Sequence, residues 1–378
     1  MKFETRAIKT GQEPDAATGA TISPIYQTST FTQEAVGIHK GYEYSRYGNP
    51  NRSALEQCLA SLEEASFGLA FSSGLAAEHA VFSLLRPGDH VIVPLDMYGG
   101  TYRLITKILE PMNIRFSFAD FSNPLDIQGS FEPATRMVWI ETPTNPVLKI
   151  FDIAAIADLA GSKGALSVVD NTFATPYFQQ PLLLGADIVV HSTTKYINGH
   201  SDVVGGSVLL NREDLYERLL MIQRTVGSVM SPFDCWLTLR GVKTLSLRMK
   251  QHEKNAFEIA GFLQHHPRVK EVLFPGLEGH PGHDLARRQM KGFGGLVSFR
   301  IDGGLEEAND FFRKLKIFQL ADSLGGVESL ANYSAVMTHS AFPEDLRRKI
   351  GVTEDLIRLS PGIEHADDLK EDLRQALS

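Results

Sequence analysis

Residues 187–206 read DIVVHSTTKYINGHSDVVGG. An apolar run, Ile188-Val189-Val190, breaks off into three hydroxyl residues, Ser192, Thr193 and Thr194, followed by a single lysine, Lys195. A solvated lysine needs no such setting. A lysine that must lose its charge and attack a carbonyl gains from a buried strand beside it, and hydroxyls next to it can hold an anion such as phosphate. The apolar run reads as a strand whose end delivers Lys195.

Working outward, the segment from about Pro50 to Leu210 alternates helix and strand. NRSALEQCLASLEEA and LAAEHAVFSLL read as helices, the second closed by RPGD, and FGLAFS between them is a short apolar run ending in Ser72-Ser73-Gly74. HVIVPL, IRFSFAD, MVWIE and LSVVDNT read as strands, interleaved with the helices GTYRLITKIL and DIAAIADLAGSKG, the latter capped by Gly164. Such alternation predicts an α/β fold with a large, mostly parallel sheet. Residues 1–49 lack helical periodicity and read as an extended arm that wraps a partner or a second copy of the chain. Residues 50–243 form the sheet domain. Residues 244–378 read as a smaller C-terminal α/β domain, with helices in EKNAFEIAGFLQHH, EEANDFFRKL and HADDLKEDLRQAL and strands in LVSFRID and DLIRLSPG.

Ligands bind such sheets at the carboxyl ends of the strands. Polar residues gather there: Ser73-Gly74, Glu141, Asp170, and Ser192 to Lys195. The set answers three demands of pyridoxal 5′-phosphate. Lys195 supplies the Schiff-base amine. Asp170 supplies a carboxylate against the pyridinium nitrogen. Gly74 and Leu75, opening a helix, offer free N–H groups to the phosphate, helped by Ser192 and Thr194.

Bulk composition narrows the field. The chain has 378 residues, is 43% hydrophobic and carries a net charge of −8, which disfavours nucleic acid as a partner. Cys58 and Cys235 stand too far apart for a zinc signature or a disulfide framework, and no metal site is expected. The N-terminus MKFETRAIKT has no signal-peptide core, and no apolar run spans a bilayer, so the expected setting is the cytoplasm.

Four motifs, EYSRYGNP, ETPTNP, VVDNTFATPYFQQPLLLGADIVVHSTTKYINGHSDVVGG and SLGGVESL, occur in order along the chain. Together they resemble the Cys/Met-metabolism family of pyridoxal-phosphate enzymes. The resemblance implies fold type I, the aspartate-aminotransferase-like architecture. It implies that Lys195 and Tyr98 are catalytic, with Tyr98 stacked on the cofactor ring. It places Glu141 and Thr172 in support near the ring. It sends Tyr44 and Arg46 into a neighbouring subunit's phosphate site, Tyr44 also reaching the substrate, in a homotetramer built from dimers with shared sites. It gives Asn145 and Arg358 to the substrate carboxylate, Arg103 to the substrate or Tyr98, and Ser329 to steadying Lys195 once released.

Within that family, Glu328 in LGGVESL implies γ-chemistry, its carboxylate binding the distal ammonium of cystathionine. The expected activity is γ-elimination of L-cystathionine in transsulfuration, a carbon–sulfur lyase reaction. The alternative is γ-replacement joining an O-acyl-L-homoserine to cysteine. A reading of another class, a cofactor-free scaffold of the same fold, stands against the intact set of Lys195, Asp170, Tyr98 and Arg358. His200 and His339 receive no role.

Overall fold

A computed structural model describes residues 1–378. Seven strands build the larger sheet: β1 (Phe67–Phe71), β2 (His90–Pro94), β3 (Arg115–Ala119), β4 (Thr135–Glu141), β5 (Leu166–Asp170), β6 (Ile188–His191) and β7 (Gly206–Leu210). Their order is β1-β7-β6-β5-β4-β2-β3, and β7 alone runs against the other six. The architecture is the expected α/β fold with a mostly parallel sheet.

β7 is the element the sequence hid. Gly205-Gly206 reads as a turn, yet Gly206 opens a fully buried strand that wedges between β1 and β6. The glycine answers a close approach: a Cβ there would lie 2.2 Å from the Ser73 carbonyl oxygen. The backbone leaving β6 therefore loops out with Lys195 and returns as β7, against the turn that opens the next helix. Gly164 does cap its helix at φ +72°, with the Ala165 amide bonded to the Ala160 carbonyl at 3.0 Å.

Five further strands make the smaller sheet: β8 (Val269–Leu273), β9 (Val297–Ile301), β10 (Gln319–Leu320), β11 (Leu330–Asn332) and β12 (Leu356–Ser360), ordered β10-β11-β12-β9-β8. A 20-residue helix, Leu245–Gln264, runs between the two sheets in sequence. One apolar cluster joins residues of both, including Trp139 and Val91 with Phe299 and Leu356.

The N-terminal segment departs from the expectation of a wholly extended arm. It begins with helix α1 (Phe3–Lys9), which buries Ala7. Beyond it, Trp236 Nε1 donates to the Ser23 carbonyl and the Tyr26 amide donates to Asn51, which pins the base of the arm. The arm then folds back on itself through a Thr30–Tyr44 bridge, leaving Val36 and Ile38 exposed. No helix is long and apolar enough to cross a membrane.

Candidate active site

Helix α2 (Pro50–Leu62) packs on β1, and helix α3 (Gly74–Phe82) starts where β1 ends. Ser73 is the N-cap of α3, its hydroxyl accepting from the Ala76 amide at 3.0 Å. That leaves the Gly74 and Leu75 amides without protein acceptors. Gly74 must be glycine here, because a Cβ would come within 2.9 Å of Ser192 Cβ. A helix start with free N–H groups, pressed against Ser192 and Thr194, is an anion seat.

Strand ends and loops from both sheets enclose a cavity of about 450 Å³. Gly74, Leu75, Tyr98, Arg103, Glu141, Asn145, Asp170, Thr172, Ser192, Thr194, Lys195 and Arg358 all line it. Thr172 ties two strand ends together. Its hydroxyl accepts from the Ser192 amide at 2.9 Å, while its amide donates to Asp170 Oδ1 at 2.9 Å. Glu141 acts as a clamp, one oxygen accepting from the Tyr98 amide at 2.6 Å and the other from the Asn145 amide at 3.0 Å.

Burial, reinforced by the Arg358 charge, pulls the Lys195 ammonium down from its ordinary value to about 8. Its free-amine form is therefore far more accessible than that of a solvated lysine. Arg358 is brought from β12 and is 1% exposed. Its Nη1 donates to Asn145 Oδ1 at 2.8 Å and its Nη2 to the Ser323 carbonyl at 2.7 Å, while Nε has no partner. Burial pushes the Tyr98 phenol up, so it stays protonated at neutral pH.

Other expected site residues lie elsewhere. Ser329 does not meet Lys195. It is fully buried, donates from Oγ to Glu364 and accepts the Gly362 amide, each at 2.8 Å. The lysine amine instead donates to Ser323 Oγ at 2.9 Å. Ser323 was missed because it looks like a turn residue in ADSLGG. Its signature is conformational, a φ of +123° that non-glycine residues adopt only when surroundings impose it. Here Lys195 and Arg358 grip its hydroxyl and carbonyl.

Glu328 is outside the cavity lining and is hydrogen-bonded by the Ser201 hydroxyl. Tyr44 and Arg46 are outside it too. Arg46 donates to the Arg224 carbonyl and stacks over Tyr47, with its guanidinium carbon 4.6 Å from the ring centre. His200 is a loop histidine bonded to the Asn198 carbonyl at 2.8 Å. His339 is buried against the Met97 carbonyl and pulled down to about 4, a neutral packing residue. Cys58 and Cys235 are buried free thiols.

An amine with a lowered pKa, a carboxylate at a neighbouring strand end and an anion seat, all in one cavity, define a pyridoxal-phosphate enzyme. The cofactor fits the residues present: free amides and hydroxyls for its phosphate, Asp170 for its ring nitrogen, Tyr98 for its face. A family model described as Cys/Met metabolism PLP-dependent enzyme matches residues 4–378, and the chain belongs to that family. Its relatives carry three different names. It is 51% identical over 377 residues to a cystathionine gamma-lyase of Dictyostelium discoideum (100% of this chain, 97% of that one). It is 52% identical over 375 residues to a cystathionine gamma-synthase of Mycobacterium tuberculosis (99% and 96%). It is 48% identical over 377 residues to a cystathionine beta-lyase of Coxiella burnetii (99% and 97%). Among solved structures, cystathionine gamma-lyase from Lactobacillus plantarum complexed with L-serine superposes with a TM-score of 0.97 at 46% identity, covering 100% of this chain and 98% of that one.

Proposed function

We propose that the protein cleaves L-cystathionine by γ-elimination, with water, to cysteine, 2-oxobutanoate and ammonia. The observation that carries this reading is the pairing of Lys195 and Arg358 in one cavity, with Glu328 five residues beyond Ser323 on the same strap. Arg358, with its fork steadied by Asn145 and Ser323, takes the α-carboxylate. Glu328, half-exposed beyond the cavity, takes the distal ammonium. Bound pyridoxal phosphate supplies the electron sink that makes the α and β protons of the substrate acidic. With the cofactor bound, Lys195 Nζ would remove the Cα proton, give it up again across the cofactor face and, once more a free amine, remove a Cβ proton. Ser323 Oγ holds that amine as an acceptor. The Tyr98 phenol gives its proton to the departing sulfur.

The same machinery serves γ-replacement on an O-acyl-L-homoserine with cysteine, a reading supported by the mycobacterial gamma-synthase at 52% identity against 51% for the gamma-lyase. The discriminating assay supplies cystathionine alone, or cysteine with O-succinyl- or O-acetylhomoserine, and compares kcat/KM. Preference for the acyl ester overturns the lyase reading. Glu328→Ala is expected to lower kcat/KM for cystathionine by about tenfold or more, the loss of one charge-assisted contact, and to spare monoamino substrates. Equal losses on both would show that Glu328 reads no distal amine.

The proposal extends to assembly: a cytoplasmic homotetramer built of dimers, in which the arm of residues 1–49 lends Tyr44 and Arg46 to the partner's phosphate site. In support, Tyr44 and Tyr47 are 40% and 45% exposed on an arm whose tip bonds only to itself, as through Glu34 and Ile38. Residues 50–243 then form the cofactor domain and residues 244–378 the C-terminal domain. This division agrees with strands spanning 67–210 in one sheet and 269–360 in the other.

A further inference from the structure

Four carboxyl groups line the cavity: Glu78, Glu141, Asp170 and Asp322, the last accepting from Asn332 Nδ2 at 2.9 Å. Glu141 and Asp170 have partners, as described above. Glu78 has none. It projects from α3, is 3% exposed, and its Oε2 makes no hydrogen bond. The buried Thr101 hydroxyl, which also lacks a partner, faces it from helix α4 (Gly99–Leu104). An unpartnered carboxylate at that depth would be costly.

The charges around Glu78 do not relieve it. Asp170, in the same cavity lining, is the like charge that acts on it, and the Tyr98 phenol is the next titratable group in its field. Arg358 is engaged with Asn145 and the Ser323 carbonyl, and the His191 ring with Glu63 at 2.6 Å. Burial first, then the Asp170 charge, push the Glu78 carboxyl well above the usual range. A protonated cofactor ring balances one carboxylate and not two, and like charges sharing a site do not both ionise.

We propose that Glu78 is a positioning residue for the cofactor: a neutral acid that keeps its proton in the loaded protein and donates it as a hydrogen bond toward the Asp170 carboxylate. Glu78 thereby holds Asp170 in place and restrains its basicity against the ring nitrogen. The inference rests on the cofactor and not on the choice of substrate.

The test uses cofactor binding and infrared spectroscopy, neither of which reads turnover, so a wrong substrate leaves it intact. Apoprotein is titrated with pyridoxal phosphate, followed by visible absorption. Glu78→Gln, which keeps a donor of the same shape, is expected to bind within about threefold of the parent. Glu78→Ala, which loses the donor, is expected to bind about tenfold more weakly. The infrared C=O stretch of a protonated carboxyl, present in the loaded parent, is expected to diminish in Glu78→Gln. Parental affinity in Glu78→Ala overturns the proposal. So does an equal loss in both variants, which would show that a carboxylate charge is required, and so does an unchanged protonated-carboxyl band in Glu78→Gln. If circular dichroism shows Glu78→Ala misfolded, the Gln variant alone decides: weakened binding or an unchanged band overturns the proposal.

Discussion

The cavity and the N-terminal arm were marked by equally distinctive motifs, yet they differ in how they are held. In the cavity most of the polar groups are held in place by named partners. Glu141 clamps two amides, Thr172 joins two strand ends, and Arg358 is gripped by Asn145 and Ser323. On the arm, residues 28–48 are pinned at the base and otherwise bonded mainly to themselves, with Val36 fully exposed. A segment that spends conformational entropy on little burial of its own needs a surface to meet. The contrast teaches that one part of the proposed site is held within a single chain, while the other fits the role on assembly proposed for it.

The largest expected effect falls on the self-contained part. Lys195→Ala is expected to lower turnover by at least 10²–10⁴-fold, roughly the range for losing a general base. Borohydride should no longer fix the cofactor to the chain, because no other lysine lines the cavity. Turnover near the parental level would remove Lys195 from the site.

The next effect tests the arm. Arg46→Ala is expected to need more added cofactor for full activity, since a phosphate loses a cationic ligand. Mixing Lys195→Ala chains with Arg46→Ala chains sharpens the comparison. A mixed dimer holds one wholly native site if Arg46 serves the partner. Random pairing then restores up to about a quarter of parental activity at low cofactor concentration, since half the dimers are mixed and each has one native site of two. Mixed dimers that form, as shown by differently tagged chains, yet stay inactive would place Arg46 in the service of its own subunit.

What the sequence revealed follows the same division. Strand ends carrying Glu141, Asp170 and Ser192 were legible because apolar runs with polar termini are a local signal. β7 was not, because its opening glycines look like a turn until Ser73 is seen packed against them. The short helix α1 has only one buried residue, Ala7, too little for a periodic pattern. Ser323 and Ser329 were the hardest to tell apart. They stand six residues apart in one motif, and only tertiary placement decides which hydroxyl faces the lysine. Glu78 was hidden inside LAAEHAVF, where a glutamate on a helix reads as a solvated face.

The smallest expected effect separates those two serines. Ser323→Ala removes the 2.9 Å contact to Lys195 Nζ in a half-buried position. One such hydrogen bond contributes about 1 kcal/mol, roughly fivefold in kcat, with little change in Tm. Ser329→Ala removes a fully buried hydroxyl that both donates to Glu364 and accepts from the Gly362 amide. It leaves the Gly362 amide unsatisfied and strips Glu364 of one of its two contacts with Ser329, the backbone amide keeping the other at 2.8 Å. That costs about 1–3 kcal/mol of stability, and kcat should hardly move. The pair of variants thus crosses over: one lowers the rate and spares the melting temperature, and the other does the reverse. The melting curves must be taken with cofactor present at equal saturation, because bound cofactor itself raises Tm. If Ser329→Ala instead slows turnover while Ser323→Ala leaves it intact, the amine of Lys195 finds its working partner at Ser329, and the 2.9 Å contact to Ser323 is only the resting position of the lysine.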